Sequence, residues 1–208
     1  MAQSPVVTIT ENGKTVTLAE SGAIAEFIIE RYGERLAIPA SSSDLQQRAD
    51  YIYWLHYAEG SAMGPLMFAL VFTAIPKQAP WIARPLVNAI TGGAMSQFVI
   101  PRLKETFGFV EKSLEGKEFF VGDKLTGADS ASFSLLARTL NREAPTHSLL
   151  FLPRAVMMSF IAEGLAVTPL DLTKYPNVTR WHAAIQQRPA YQAAEARGGK
   201  NNMERFMK

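Results

Sequence analysis

The sequence contains no cysteine. That excludes a disulfide framework, a Cys-ligated zinc site and a thiol nucleophile within these residues, and it fits a reducing compartment. A dominant charge sign is missing as well: 21 Lys plus Arg stand against 19 Asp plus Glu, a net charge of +2. So even a balance gives no field of the kind that tracks phosphate backbones, and nucleic acid is not expected as a partner. Histidine is scarce. His56, His147 and His182 lie far apart with no metal-like spacing, so they read as surface or core side chains and no metal is expected. The opening "MAQSPVVTIT" has neither an apolar core segment nor an Arg-rich amphipathic pattern, which predicts no secretion or organelle signal and a cytoplasmic location. The longest apolar run, "AMGPLMFALVFTAI" at 62–75, is shorter than the about 20 residues a bilayer span needs, so it is expected to be a buried core helix and no membrane span is expected. There is no internal repeat and no low-complexity tract.

What remains is the composition of a globular protein. With 208 residues, 48% of them hydrophobic, the chain can bury roughly 70% of the surface its unfolded form exposes, in one or two domains. The β-branched runs VVTI (6–9) and TVTL (15–18) flank "TENGK", whose Asn12-Gly13 pair supplies the two positive-φ positions of a tight hairpin. From Ser21, Ile24, Phe27 and Ile28 recur at helical spacing, with Tyr32-Gly33 as a stop. "GERLAIPASSS" (33–43) reads as a linker, and everything after it is helical in pattern. Ser43 with Gln46 forms a capping box, the long helix it opens is expected to bend at Gly64-Pro65, and Thr126 with Asp129 forms a second box. Phe98, Leu103, Phe107, Val110 and Leu114 make one apolar stripe, while "NVTRWHAAIQQ" predicts a late helix. Trp54, Trp81 and Trp181 are expected as core or interface anchors.

The joint "LAESGAIAEF" (18–27) carries the most chemistry. A helix N-terminus holds about half a positive charge and up to four unpaired N–H groups, so it accepts a carboxylate without a basic side chain. The Ser21 hydroxyl can join such a site, and the Glu20 carboxylate can take an ammonium beside it. Together they suit the α-amino-acid end of a ligand. An acid and a serine at a helix start are also ordinary caps, and that alternative stays open on the residues alone. Ser4-Pro5 precedes the hairpin; a cis bond there would turn the Ser4 backbone outward to pair with an extended peptide, although trans is the unaided expectation.

The order "SPVVTI…GKTVTLAESGAIAEFIIERYG", a linker, then "YWLHYAEGS" and "FVGDKLTGADSASF" resembles the glutathione S-transferase superfamily, and "HYAEGS" is similar to its fungal and bacterial branch. The resemblance covers nearly the whole chain. It implies an α+β, mostly α fold: a partial thioredoxin-like glutathione-binding domain (1–32, hairpin plus helix), a linker (33–43) and an all-helical C-terminal domain (44–208). By the same resemblance Pro5 matches the family's cis-proline and Ser4 the residue whose backbone meets the cysteinyl part of glutathione. Glu20 and Ser21 match the pair that holds the γ-glutamyl amino and carboxylate groups. Tyr53 and Tyr57 fall on the helix that lines the electrophile pocket in relatives; core or dimer packing is the competing reading.

The implied function is conjugation of glutathione, as co-substrate, to small hydrophobic electrophiles by a cytoplasmic homodimer. The family's domain begins with a strand, a helix and a strand ahead of the proline, whereas this chain starts just before it. An N-terminally truncated domain is therefore expected. The residue that lowers the pKa of the glutathione thiol belongs to that part, so no catalytic residue is assigned. Ile24, Phe27 and Ile28 are expected to lose their packing partners, each wet side chain forgoing roughly 1.5–3 kcal/mol. A non-catalytic binding or dimerisation module is the alternative. The apolar stretch near 142–164 is expected to be an insert relative to the family.

Overall fold

The computed structural model describes residues 6–129 and 168–198. Ser4, Pro5, His147 and the 142–164 stretch lie outside the described residues. Strands β1 (Val6–Glu11) and β2 (Lys14–Ala19) pair antiparallel, each six residues long and so longer than the β-branched runs alone. Asn12 (φ 50°) and Gly13 (φ 75°) take both positive-φ positions of the connecting turn, the conformation whose twist matches that of the strands. The alternation of the strands sends Val7, Ile9 and Leu18 onto helix α1 (Ser21–Tyr32), where they cover Ile24 and Ile28. The opposite face carries cross-strand threonine pairs, Thr8 with Thr17 and Thr10 with Thr15. Ile24 and Ile28 are 0% and 2% exposed, so the expectation that they stand wet is corrected: one amphipathic hairpin suffices to shield them. Phe27 is half-buried.

Two contacts fix the far end of α1. Glu11 accepts from the Arg31 guanidinium at 2.7 and 3.1 Å and from the Tyr32 hydroxyl, which holds its carboxyl below the usual carboxylate range. Gly33 stops the helix, but at φ −117° and not in the left-handed cap. Glycine is needed there because a Cβ would come within 3.0 Å of the Ile29 Cα and carbonyl oxygen.

Helix α2 (Leu45–Tyr57) begins one residue later than the capping box predicts. Asp44, not Ser43, is its cap, accepting from the Gln47 N–H at 2.9 Å; a carboxylate gains more than a hydroxyl from the helix dipole. A π-helical turn, Ala58–Ala62, then leads into α3 (Met63–Gln78). The irregularity thus sits ahead of Gly64-Pro65: Pro65 has no N–H to give the Ser61 carbonyl, and the widened turn, closed by Met63 N–H to Ala58 C=O, absorbs the missing rung. Helix α4 (Arg84–Ala94), a second π turn (Met95–Val99) and α5 (Ile100–Ser113) follow. The second π turn changes which residue faces inward: Val99 is buried and Phe98 is 44% exposed, so the stripe runs from Val99 through Leu103, Phe107 and Val110 to Leu114. The late helix, α6 (Pro176–Gln186), lies where the pattern predicts it, and α7 (Pro189–Gly198) follows it.

The continuous helical stretch Leu45–Gln78 is long and apolar enough to cross a membrane by length and composition. In this fold it is the central element of the bundle. Its Tyr51, Trp54, Leu55 and Ala58 join Phe107 and Val110 of α5 and Trp181 and Ile185 of α6 in one core. The run at 62–75 is corrected: Ala62, Leu66 and Ala69 are buried, but Met67, Phe68, Val71 and Ile75 lie on its outward side and are exposed. Trp54 and Trp181 are core residues, whereas Trp81 is 79% exposed and anchors no core.

Asp129 organises the end of this core. Its carboxylate, 0% exposed, accepts from the Phe120 N–H (2.8 Å), the Thr126 N–H and hydroxyl (3.1 and 3.0 Å) and the Trp181 indole N–H (3.2 Å). One half of the predicted box is present, but the Thr126 hydroxyl donates to Asp129 where a capping hydroxyl would accept from its N–H. The helix expected after it lies outside the described residues.

Candidate functional site

The strand-to-helix joint is built by an abrupt change of direction. β2 ends at Ala19, and Glu20 takes φ 74°, ψ 119°, a conformation that residues with a Cβ avoid. Holding it costs about 1–3 kcal/mol, and such outliers gather at binding and catalytic sites. Glu20 occupies the cap position of α1. Its carbonyl accepts the Ile24 N–H at 2.9 Å, yet its side chain makes no capping hydrogen bond, and the first turn of α1 contains no acid. The ordinary-cap alternative therefore fails for Glu20. Its exposed carboxylate stands beside a helix N-terminus to which it makes no capping bond.

The other end of the α1 surface docks on the helical domain. The linker is tied to it through two carbonyls: that of Leu36 accepts the Gly127 N–H at 2.7 Å, and that of Ile38 accepts the Arg48 guanidinium. A Cβ at Gly127 would meet Ile29 Cδ1 at 2.6 Å and the Tyr51 hydroxyl at 2.8 Å. So α1, α2 and the 126–129 turn converge on one glycine. Burial pushes the Tyr51 phenol up to about 12, with the charges of Glu26 and Glu30 on α1 adding to it and Arg48 opposing it. Sequence reasoning did not single out this junction, although Gly127 stands inside the quoted "LTGADS".

Tyr53 and Tyr57 form an aromatic cluster with Trp54 and Phe109, with ring centroids 5.0–6.1 Å apart. Burial, and then the neighbouring Tyr53, raise the Tyr57 phenol to about 12, so at neutral pH it keeps its proton. At about 100° per residue, Tyr53 and Tyr57 project about 200° and 240° round the helix from Tyr51, which faces α1. The cluster thus lies on a different side of α2 from the one Tyr51 turns to Ile29 and Gly127. Trp54 also reaches Phe120 at 4.5 Å, so core packing holds this cluster whatever else it does. His56 is exposed.

A two-stranded hairpin with a helix on one face, leading through a short linker into a helical bundle, defines a thioredoxin-like N-terminal part joined to a helical C-terminal domain. The family model "Glutathione S-transferase, C-terminal domain" matches residues 74–146. Glutathione S-transferase 3 of Schizosaccharomyces pombe is 25% identical over 99% of this chain, which spans 72% of that protein. A solved glutathione S-transferase of Actinobacillus pleuropneumoniae aligns with 96% of this chain and 74% of its own, at TM-score 0.53 and 24% identity. A Pseudomonas putida glutathione transferase, solved with one glutathione disulfide bound per subunit, aligns at TM-score 0.55 and 20% identity over 92% of this chain and 68% of its own. In its helical part and along nearly its whole length the chain is thus similar to proteins of the glutathione S-transferase superfamily.

Proposed function

We propose that the α1 N-terminus of this protein holds the γ-glutamyl end of glutathione. The first-turn N–H groups and the Ser21 hydroxyl take the carboxylate, and the Glu20 carboxylate takes the ammonium. The backbone of Ser4 beside Pro5 meets the cysteinyl unit. Division into a glutathione-binding part (1–32), a linker (33–43) and a helical domain (44–208) is part of this reading. The observation that carries it is Glu20 itself: a strained, exposed acid that leaves its own helix uncapped. Glutathione disulfide bound in a structural neighbour of the same fold supports the choice of ligand.

The chemistry is conjugation to a small apolar electrophile, in which the glutathione sulfur attacks as a thiolate. Fixing one end of the tripeptide sets where that sulfur can lie, and such positioning is a large part of the barrier in a two-substrate reaction. No residue of this chain is assigned to lower the thiol pKa. Tyr53 and Tyr57 are proposed for the electrophile side, as an apolar surface with neutral donors. The protein works in the cytoplasm as a homodimer and needs no metal.

Isothermal titration of glutathione into the full chain, with conjugation of a chloronitroaromatic substrate assayed in parallel, tests the proposal. Saturable binding is expected, and Ser21→Ala should weaken it by about 1–2 kcal/mol. Absence of binding, or an unchanged affinity in the variant, overturns the assignment.

A further inference from the structure

The sequence contains a single Asn-Gly pair, Asn12-Gly13, and the fold sets it at the tip of the β1–β2 hairpin. Both residues are exposed, and a Cβ on Gly13 would meet no atom within 4 Å. Ladder pairing begins at Glu11 with Lys14, so the Gly13 N–H lies outside it. An asparagine followed by glycine is the pair in which the next backbone nitrogen reaches the side-chain carbon most readily, because no Cβ stands in the way.

Little holds the two turn residues in place. The sheet has two strands and, among the described residues, no third to pair with either edge; such a hairpin is marginal in water by itself. Its apolar face is fixed on Ile24 and Ile28, and the Glu11 carboxylate is tied to Arg31 and Tyr32. Neither anchor grips the turn. The outermost side-chain contact across the strands is Thr10 with Thr15, at 3.0 Å. Opening of the tip therefore costs a local free energy and not the global one.

We infer that Asn12 is a site of spontaneous deamidation, and that its isoaspartyl product frees the hairpin from α1. The Gly13 nitrogen attacks the Asn12 Cγ: a C–N bond forms, the Cγ–Nδ2 bond breaks, and the displaced nitrogen leaves as ammonia with the Gly13 proton. Water then opens the cyclic imide at one of its two carbonyls and leaves aspartate or isoaspartate. In isoaspartate the main chain runs through the former side chain and is one methylene longer. A two-residue turn with both φ positive has no place for that atom. Because strand side chains alternate, a slip of one residue carries Val7 and Ile9 to the threonine face and off Ile24 and Ile28. The inference does not depend on glutathione binding at Glu20.

Trypsin isolates the site, since the peptide 1–14 ends at Lys14 and has Asn12 as its one asparagine. The full chain is kept in warm neutral buffer and sampled over days. That peptide should gain the mass difference between an amide and an acid and become a substrate for an isoaspartyl methyltransferase, faster at mildly alkaline pH. Asn88, exposed on α4 and followed by Ala89, is the internal control and should stay unchanged. The rate in the folded protein should lie within about tenfold of the rate in urea, an opening free energy of about 1.4 kcal/mol or less. Aged protein should lose hydrogen-exchange protection over 6–28, while the fluorescence of buried Trp54 and Trp181 stays as in fresh protein. Asn12→Gly permits the same type of turn and should keep its protection through the same incubation. A folded-state rate slowed further than tenfold, or no modification at all, overturns the inference. So does isoaspartate at Asn12 with protection over 6–28 intact, or an equal loss of protection in Asn12→Gly.

Discussion

Glu111 and Arg180 exchange caps between two helices. The Glu111 carboxylate on α5 accepts the Asn177 and Val178 N–H groups that open α6, at 2.9 and 3.0 Å. Arg180 on α6 donates to the Leu114 and Lys117 carbonyls beyond the end of α5, at 3.1 and 2.7 Å. Each charge sits at the helix end of opposite partial charge, so hydrogen bond and dipole act together. Glu111→Ala and Arg180→Ala should each destabilise by about 1–2 kcal/mol in urea unfolding. The double variant should lose less than the sum, because either change loosens the same junction.

Asp129 carries four donors in a site without solvent. Asp129→Ala should cost about 3 kcal/mol or more, since it orphans buried N–H groups of Phe120, Thr126 and Trp181 together. Equilibrium unfolding, with Trp181 fluorescence following the core, measures it.

The same residue makes a pH prediction. Burial raises the Asp129 carboxyl, and its hydrogen bonds only partly oppose that. With a folded pKa above the unfolded value of about 3.9, its contribution is fully present below that value and is lost as pH rises through the folded one. The stability difference between the parent and Asp129→Asn should therefore shrink with rising pH across this window. A difference that grows would contradict the burial.

Gly127→Ala tests the junction between the hairpin-helix part and the bundle. Its new methyl would overlap Ile29 Cδ1 and the Tyr51 hydroxyl, a penalty of about 1–3 kcal/mol. Adding Ile29→Val removes the Cδ1 atom and should recover part of the loss. Failure of that rescue would place the strain elsewhere.

Much of the fold was legible because local chemistry decides it. Asn12-Gly13 can make few other turns, and the helices announce themselves by periodicity. The misplacements have long-range or cooperative causes. Three adjacent residues, Ser42, Ser43 and Asp44, can all cap α2, and the sequence does not rank them. A π turn leaves no compositional mark, so periodicity points to Phe98 as the inward residue where the structure has Val99. Trp81 shows the limit of hydrophobicity as a guide to burial. Glu111 reaches a helix start far along the chain, a relation that no window contains. At the candidate joint the sequence shows an acid and a serine at a helix start; the positive φ of Glu20 and its lack of a side-chain capping bond leave no mark in it, since glutamate gives no hint of that conformation.

That strain predicts a trade-off. Glu20→Gly should stabilise the fold, by up to about 1 kcal/mol, because glycine tolerates a positive φ, while it weakens glutathione binding by removing the carboxylate proposed for the ammonium. Thermal unfolding and calorimetry on one preparation measure both sides. Loss of stability in this variant would mean that the acid serves the fold.

The most direct test follows backbone amides by NMR as glutathione is added to the full chain. Shifts should concentrate on the first turn of α1, residues 21–24, and should be absent with cysteinylglycine, which lacks the γ-glutamyl unit. Shifts that spare this turn, or that cysteinylglycine reproduces there, would contradict the account.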